Sequence, residues 1–138
     1  MANFATQSTN FLVGSLGLNF FGAKLLTVRG RKSGERRSLV VNPIEVDGTT
    51  YLLSPRGETQ WVKNIRANHQ ATLGRGRKQA SYPATEVNDA DLKLKIMRDY
   101  LDRWSWQVNK LMGASKGSPD KELRAILDKH PKFLLTHS

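Results

Sequence analysis

Residues 25–68 decide the fold, and they read LLTVRGRKSGERRSLVVNPIEVDGTTYLLSPRGETQWVKNIRAN. Apolar runs separated by turn-forming residues predict three strands, at residues 24–30, 36–46 and 49–54. Asp47-Gly48 lies between the last two runs and is a strong short-range signal for a tight hairpin. Pro43 has no backbone N–H group to donate, so it places its strand at a sheet edge or marks a bulge.

The remaining sequence alternates between helix and strand patterns. Apolar side chains with helical spacing predict a helix over residues 59–67, and two further strands follow at 70–78 and 79–87. A long helix is predicted from Asn88 or Asp89 to Gly113, and a shorter one from Ser118-Pro119 to Pro131. This order predicts an α+β fold in which an antiparallel sheet of at least five strands curls into a small barrel flanked by helices.

Length and composition limit the possible kinds of site. A chain of 138 residues corresponds to a single domain, with a barrel core over 24–87 and C-terminal helices over 88–138. The sequence contains no cysteine, which excludes disulfides, thiolate metal sites and cysteine nucleophiles. Its three histidines lack ligand spacing, so we expect no metal.

The N-terminal 23 residues carry no charged side chain, and residues 11–23 are apolar. Thirteen residues are too few to span a bilayer, and no basic stretch precedes them as in a secretory signal. We expect a cytoplasmic protein in which residues 1–23 form a helix packed on the body or a lid over the site. A peripheral membrane contact through residues 11–23 is the alternative.

Positive charge is concentrated in the middle of the chain. The formal net charge is +10, and residues 24–78 hold twelve basic and four acidic side chains. This imbalance predicts an anionic partner, which would be a nucleic acid, an anionic membrane or a polyanionic small molecule. The turn Gly30–Gly34, with Arg36 and Arg37 just after it, combines cations with glycine-exposed backbone N–H groups and so favours phosphate binding.

The same stretch resembles the deazaflavin-dependent nitroreductase family, whose members are small split β-barrel proteins, mainly actinobacterial, that in many cases use coenzyme F420. The resemblance rests on the order and spacing of the GRKSG turn at 30–34, the Asp47-Gly48 hairpin and the Trp61-x-x-Asn64 helix. It continues more loosely through residues 70–87. A split barrel of this kind also implies a homodimer.

The resemblance implies roles for individual residues. Lys32, Ser33 and Arg37 match positions that hold the coenzyme's phosphate and acidic tail, and Arg56 matches a position beside the phosphate and ring. The complete cofactor set that it implies is Arg31, Lys32, Ser33, Arg37, Pro55, Arg56, Gly57, Gln60, Trp61, Val62, Lys63 and Asn64.

The activity implied by the family is hydride transfer from reduced deazaflavin to an enone, a quinone or a nitroaromatic compound. In such enzymes the coenzyme performs the chemistry, while the protein orients it and excludes water. A hydroxyl group could protonate the product or polarise a carbonyl. Ser54 and Tyr100 are the candidate catalytic residues, and Trp104 is a further candidate on the substrate side. The helical spacing of Tyr100 and Trp104 is also typical of core residues, which is the alternative for both.

Two other functions stay open from the sequence. One is a non-catalytic protein on the same barrel that binds F420, FMN or a fatty acid. The other is a nucleic-acid-binding module that uses the basic segment. Against the latter, Tyr51, Trp61 and Tyr82 do not cluster in the sequence as base-stacking platforms do.

Overall fold

The computed structural model describes residues 23–136 of the chain. Seven strands, three α-helices and one 3₁₀ turn make up this part. In chain order they are β1 (Lys24–Arg29), β2 (Arg36–Val41), β3 (Ile44–Val46), β4 (Thr49–Leu53), α1 (Gln60–Asn68), β5 (Gln70–Arg75), β6 (Lys78–Glu86), α2 (Ala90–Met112), α3 (Asp120–Ile126), the 3₁₀ turn (Leu127–Lys129) and β7 (Lys132–Leu135).

All strand pairs are antiparallel, and the sheet order is β2-β1-β5-β6-β7-β4-β3. The two edge strands, β2 and β3, follow one another in the chain with only Asn42 and Pro43 between them. Two consecutive residues can bridge only a few ångströms, so the sheet must curl until its edges approach each other. This curled antiparallel sheet with flanking helices confirms the predicted fold class.

Two apolar clusters hold the helices to the sheet. Helix α1 packs against one face, where Trp61, Val62 and Ile65 contact Leu26 and Phe133 in a shared cluster. Helix α2 covers the other part of the sheet, and its buried side chains pack with those of β3, β4 and the C-terminal helical turns. Helix α1 also contacts β1, whose end carries the first basic turn, and it follows the turn after β4 directly in the chain.

Several local predictions are confirmed. Asp47 and Gly48 have φ angles of 52° and 80°, as the two central residues of a tight hairpin require. The Asp89 carboxylate caps α2 by accepting a hydrogen bond from the Leu92 N–H at 2.9 Å. Gly113 ends α2 in the left-handed conformation, with φ of 70°.

Three predictions of local structure need correction. The strand predicted over 36–46 is two strands, because the chain breaks at Asn42-Pro43: β2 pairs with β1 up to Val41, and β3 pairs with β4 from Ile44. Helix α3 starts at Asp120 with Pro119 as its N-cap, and it ends at Ile126, before the 3₁₀ turn that precedes Pro131. The strand β7 was not predicted.

The predicted helix or lid over the first 23 residues lies almost entirely outside the described part of the chain. Three further expectations stay predictions. They are the contact of residues 11–23 with a membrane surface, the single-domain organisation and the homodimer. Within residues 23–136, no helix is both long enough and apolar enough to cross a membrane.

Candidate functional site

A cleft of about 540 Å³ opens where the β1–β2 loop, the β4–α1 turn and the start of α1 meet. Its lining residues come from these three elements and from β2. They are Gly30, Arg31, Lys32, Ser33, Arg37, Leu39, Arg56, Thr59, Gln60, Trp61 and Asn64. We call this the basic cleft, because four of the lining residues are cationic and none is acidic.

Strand alternation decides which arginine of the Arg36-Arg37 pair reaches the basic cleft. Arg37 lies opposite the buried Val28 on β1, whereas Arg36 lies opposite the exposed Arg29. Because successive side chains on a strand point to opposite faces, Arg37 lines the basic cleft and Arg36 does not. The Arg37 guanidinium lies 3.9 Å from the Glu35 carboxylate, but both side chains are about half exposed, so this pair is weak.

The β1–β2 loop is fixed by its own backbone and by helix α1. The Gly30 N–H donates to the Glu35 carbonyl at 2.7 Å, and the Gly34 N–H donates to the Gly30 carbonyl at 2.9 Å. Gly34 has φ of 75°, a conformation that glycine adopts without the penalty of a side chain. Lys32 and Ser33 therefore sit at the tip of a closed turn at the mouth of the basic cleft.

The second basic element is the turn Ser54–Gly57 between β4 and α1. The Ser54 hydroxyl donates to the Gly57 carbonyl at 2.7 Å, and Gly57 has φ of 82°. This closed turn presents Arg56 to the basic cleft. Ser54 itself is fully buried, and its hydroxyl hydrogen is used in the bond to the Gly57 carbonyl.

The start of α1 faces the basic cleft with unused hydrogen-bonding groups. Thr59 is the N-cap, yet its side chain makes no capping hydrogen bond. Its Oγ1 is buried and has no partner among the described residues. The first N–H groups of a helix also lack intrahelical acceptors and carry positive potential. An anionic group in the basic cleft would meet these donors as well as the four cations, so the residues present fit an anionic ligand.

One wall of the basic cleft is apolar. Leu39 and Trp61 line it, and the Trp61 ring packs against Phe133 with ring centroids 6.0 Å apart. Trp61 is only 8% exposed, so its indole is held rigidly by the core. A flat ring can lie against this wall while its charged portion reaches the cations.

A smaller cavity of about 110 Å³ adjoins the basic cleft and shares Leu39, Arg56 and Trp61 with it. Ser54, Pro55 and Tyr100 also line this cavity. Tyr100 is 1% exposed. Its burial raises the pKa of the phenol to about 12, although a hydrogen bond with the Asn42 side chain opposes the shift.

The structure brings together most of the predicted cofactor residues. Arg31, Lys32, Ser33, Arg37, Arg56, Gln60, Trp61 and Asn64 all line the basic cleft. The other four predicted residues do not line it. Pro55 lines the smaller cavity beside it. Val62 is fully buried in the core beneath the basic cleft, Lys63 is exposed on α1, and Gly57 shapes the turn.

Trp104 does not line the basic cleft or the smaller cavity. It is buried in the cluster under α2, and its Nε1 has no hydrogen-bond partner in the described part of the chain. Gly30 also lines the basic cleft, as part of the turn predicted to bind phosphate, and so does Thr59, at the predicted helix start. Leu39 lines it as well but was not predicted. Leu39 could have been found, because it is two residues from Arg37 and so shares its face of β2.

Within residues 23–136, no group of three or more histidine, aspartate or glutamate side chains comes close enough to hold a metal ion.

Solved structures similar to this one share its fold at low sequence identity. One, described as a domain-swapped dimer, has 14% identity and a TM-score of 0.59, with 98% of each chain covered. HutZ, the heme storage protein from Vibrio cholerae, has 10% identity and a TM-score of 0.61, covering 86% of this chain and 83% of its own. An F420H2-dependent reductase, FDR-A, has 20% identity and a TM-score of 0.51, covering 83% of this chain and 93% of its own.

No curated protein sequence gives a significant match. The family model of F420H2-dependent quinone reductases, however, matches residues 4–116. That match covers both basic turns, α1 and all of α2, so the predicted kinship with deazaflavin-dependent proteins is confirmed. The chain belongs to the F420H2-dependent quinone reductase family.

Proposed function

We propose that this protein binds coenzyme F420 in the basic cleft and reduces an electron-poor small molecule, such as a quinone, an enone or a nitroaromatic compound. One observation carries the proposal. The basic cleft combines four cationic side chains and an uncapped helix start with a rigid apolar wall. This combination suits a ligand with a flat ring and an anionic tail.

Each part of the basic cleft has a proposed task in binding. Lys32, Arg37 and Arg56 hold the phosphate and carboxylate groups through charge-assisted hydrogen bonds. The Thr59 hydroxyl and the first N–H groups of α1 supply additional donors to the same anionic portion. Leu39 and Trp61 pack against the ring and exclude water from it. The reduced coenzyme, when bound, supplies a hydride from its ring carbon C5.

The smaller cavity beside Arg56 is the proposed position of the acceptor. Tyr100 lines it, and its raised pKa keeps the phenol protonated throughout the neutral range. A protonated phenol can donate a hydrogen bond to a carbonyl oxygen of the acceptor and stabilise the charge that develops there. Ser54 was predicted in the same role, but its hydroxyl proton is held by Gly57. We therefore propose that Ser54 shapes the turn.

The test has two stages. The purified protein is titrated with F420 and, as a control, with FMN, and the ligand fluorescence is followed at two salt concentrations. We expect selective binding of F420 that weakens with salt, because charges at the surface are screened. Absence of F420 binding would overturn the proposal.

The second stage measures oxidation of reduced F420 by the protein in the presence of a quinone, an enone or a nitroaromatic compound. We expect turnover with at least one acceptor class. Tight binding of F420 without turnover on any acceptor would instead support the non-catalytic carrier.

A further inference from the structure

The turn that presents Arg56 rests on the segment just before β7. The Ser54 N–H donates to the Pro131 carbonyl at 2.9 Å, which extends the pairing of β4 with β7. A Cβ atom added at Gly57 would lie 3.1 Å from the Lys129 carbonyl oxygen. His130 lies between these two contacts, and its Nδ1 is 3.0 Å from the Ser54 carbonyl oxygen.

The protonation state of His130 follows from this contact. A carbonyl oxygen can only accept a hydrogen bond, so Nδ1 must carry the hydrogen. His130 is only 6% exposed. Burial lowers the pKa of the imidazole below its usual value, and Lys132 and Lys129 lower it further, while the carbonyl groups of Ser54 and Pro55 partly oppose the shift. At neutral pH the ring is therefore neutral, with its hydrogen on Nδ1.

A polar cavity of about 200 Å³ lies beside His130, and the charged groups around it are already paired. Arg66 on α1 binds Glu86 on β6 at 2.8 Å, and Lys93 on α2 binds Asp128 at 2.8 Å. The buried Lys132 ammonium donates to the Leu127 carbonyl at 2.6 Å. Both carboxylates that line this cavity, those of Glu86 and Asp128, are thus in ion pairs with other cations. Neither is an unpaired anion that would stabilise a positive charge on His130.

We infer that His130 is a positioning residue for the basic cleft, acting through the Ser54 carbonyl as the neutral tautomer protonated on Nδ1. It holds the turn Ser54–Gly57 in place, and that turn sets where Arg56 and the start of α1 meet an anionic ligand. A buried imidazolium next to Lys132 gains free energy by moving toward water, and that movement removes the donor from Ser54. Coenzyme affinity therefore falls as His130 becomes protonated. This inference rests on the proposed function.

Two substitutions separate positioning from simple packing. The amide introduced by His130→Asn places an N–H donor near the position of Nδ1 and does not titrate, whereas His130→Leu removes the donor. At neutral pH we expect His130→Leu to weaken F420 binding about tenfold, while His130→Asn stays within about threefold of the wild type. As the pH falls below the ordinary imidazole value of about 6.5, the wild type should lose affinity relative to His130→Asn, because only the wild type has an imidazole here to protonate. Thermal unfolding identifies the folded fraction of each variant.

A residue that only packs would give a different result. Both variants would then bind F420 with wild-type affinity per folded molecule, and the ratio of wild-type to His130→Asn affinity would not change with pH. Either finding overturns the inference.

A second measurement needs no coenzyme, so it separates failure of this inference from failure of the proposed function. Imidazole ¹⁵N chemical shifts of the free protein report which ring nitrogen carries the hydrogen, and amide exchange reports on the Gly57 N–H. We expect a protonated Nδ1, and faster Gly57 exchange in His130→Leu than in His130→Asn. An unprotonated Nδ1, or equal exchange in the two variants, overturns the inference even if F420 binds.

If the wild type fails to bind F420, the proposed function fails. The tautomer of His130 and the exchange of the Gly57 N–H then decide by themselves whether His130 holds the turn.

Discussion

Asn64 ties the basic loop to helix α1 through a single oxygen atom. Its Oδ1 accepts hydrogen bonds from the Arg31 backbone N–H at 3.0 Å and from the Arg31 guanidinium at 2.8 Å. One turn later, the Asn68 amide donates to the Arg29 carbonyl at 2.8 Å. The two asparagines of α1 therefore fix both ends of the Arg29–Arg31 segment, and Asn64 contributes to the basic cleft chiefly by holding this loop.

We expect Asn64→Ala to lower both stability and coenzyme affinity. Loss of the shared acceptor should cost about 1–2 kcal/mol of unfolding free energy and weaken F420 binding several-fold, because the Arg31 N–H is left without its partner. Chemical denaturation and fluorescence titration measure the two effects. Asn109→Ala, on the exposed surface of α2, is the control and should change neither. Unaltered affinity in Asn64→Ala would show that the loop does not need this anchor.

The neighbouring arginines of β2 provide a matched pair of variants for the basic cleft. Arg37→Ala should weaken F420 binding by about 10- to 100-fold, which corresponds to about 1.4–2.8 kcal/mol for a lost charge-assisted contact. Arg36→Ala removes the same charge from the opposite face of the strand and should change affinity only slightly. Equal losses in both variants would mean that only the net charge matters and that the basic cleft does not hold the coenzyme.

The buried Lys132 ammonium should make stability depend on pH. Burial and the nearby Lys93 lower its pKa to about 7 from an ordinary value of 10.5. Between these two values the unfolded chain binds more protons than the folded one, so the wild type gains stability as the pH rises through this window.

Lys132→Met should therefore be more stable than the wild type by about 1–3 kcal/mol near pH 7, because a buried cation is replaced by an apolar side chain of similar length. This advantage should shrink as the pH approaches 10. Denaturation at several pH values measures it, with the exposed Lys129→Met as the control. A difference between Lys132→Met and the wild type that stays constant across the window would contradict the lowered pKa.

Gly74 on β5 allows a sharp test of the sheet packing. A Cβ atom added there would lie 2.1 Å from the Lys78 carbonyl oxygen and 2.6 Å from the Gln79 Cα. These are backbone atoms of β6 that cannot rotate away, so Gly74→Ala should cost about 3 kcal/mol or more of unfolding free energy. Gly117→Ala meets no atom within 4 Å and should be close to neutral. A shift in melting temperature no larger than that of Gly117→Ala would show that β5 and β6 are not this close.

The sequence predicted the parts of the fold in which local chemistry decides the structure. The Asp47-Gly48 hairpin, the Asp89 cap and the Gly113 stop each depend on the conformational preference of one or two residues. The β1–β2 loop of the basic cleft was predictable for a similar reason, because its cations and glycines are close together in the chain. The contribution of Gln60, Trp61 and Asn64 was implied by the family resemblance.

Features that depend on tertiary pairing could not be predicted in this way. The strand β7 has four residues and begins with Lys132, so it is too short to show alternation, and a lysine does not suggest burial. Helical spacing from Trp104 and Val108 predicts that Leu111 lies on the buried face of α2, but Leu111 is 45% exposed and Met112 is buried instead. The Thr59 hydroxyl lacks a hydrogen-bond partner because of how the turn before α1 folds, and the sequence does not show this.

The position of β7 in the sheet has a consequence for how the protein forms. This strand comes after all the others along the chain, yet it lies between β6 and β4 in the sheet. Before Lys132–Leu135 is in place, β3 and β4 can pair with each other but have no strand to join them to β5 and β6. Pairings between segments that are far apart in sequence form slowly, because the chain must first close a large loop. On the ribosome, the sheet therefore cannot be completed until this strand has emerged from the exit tunnel, and until then the facing edges of β4 and β6 stay open to pairing with other chains.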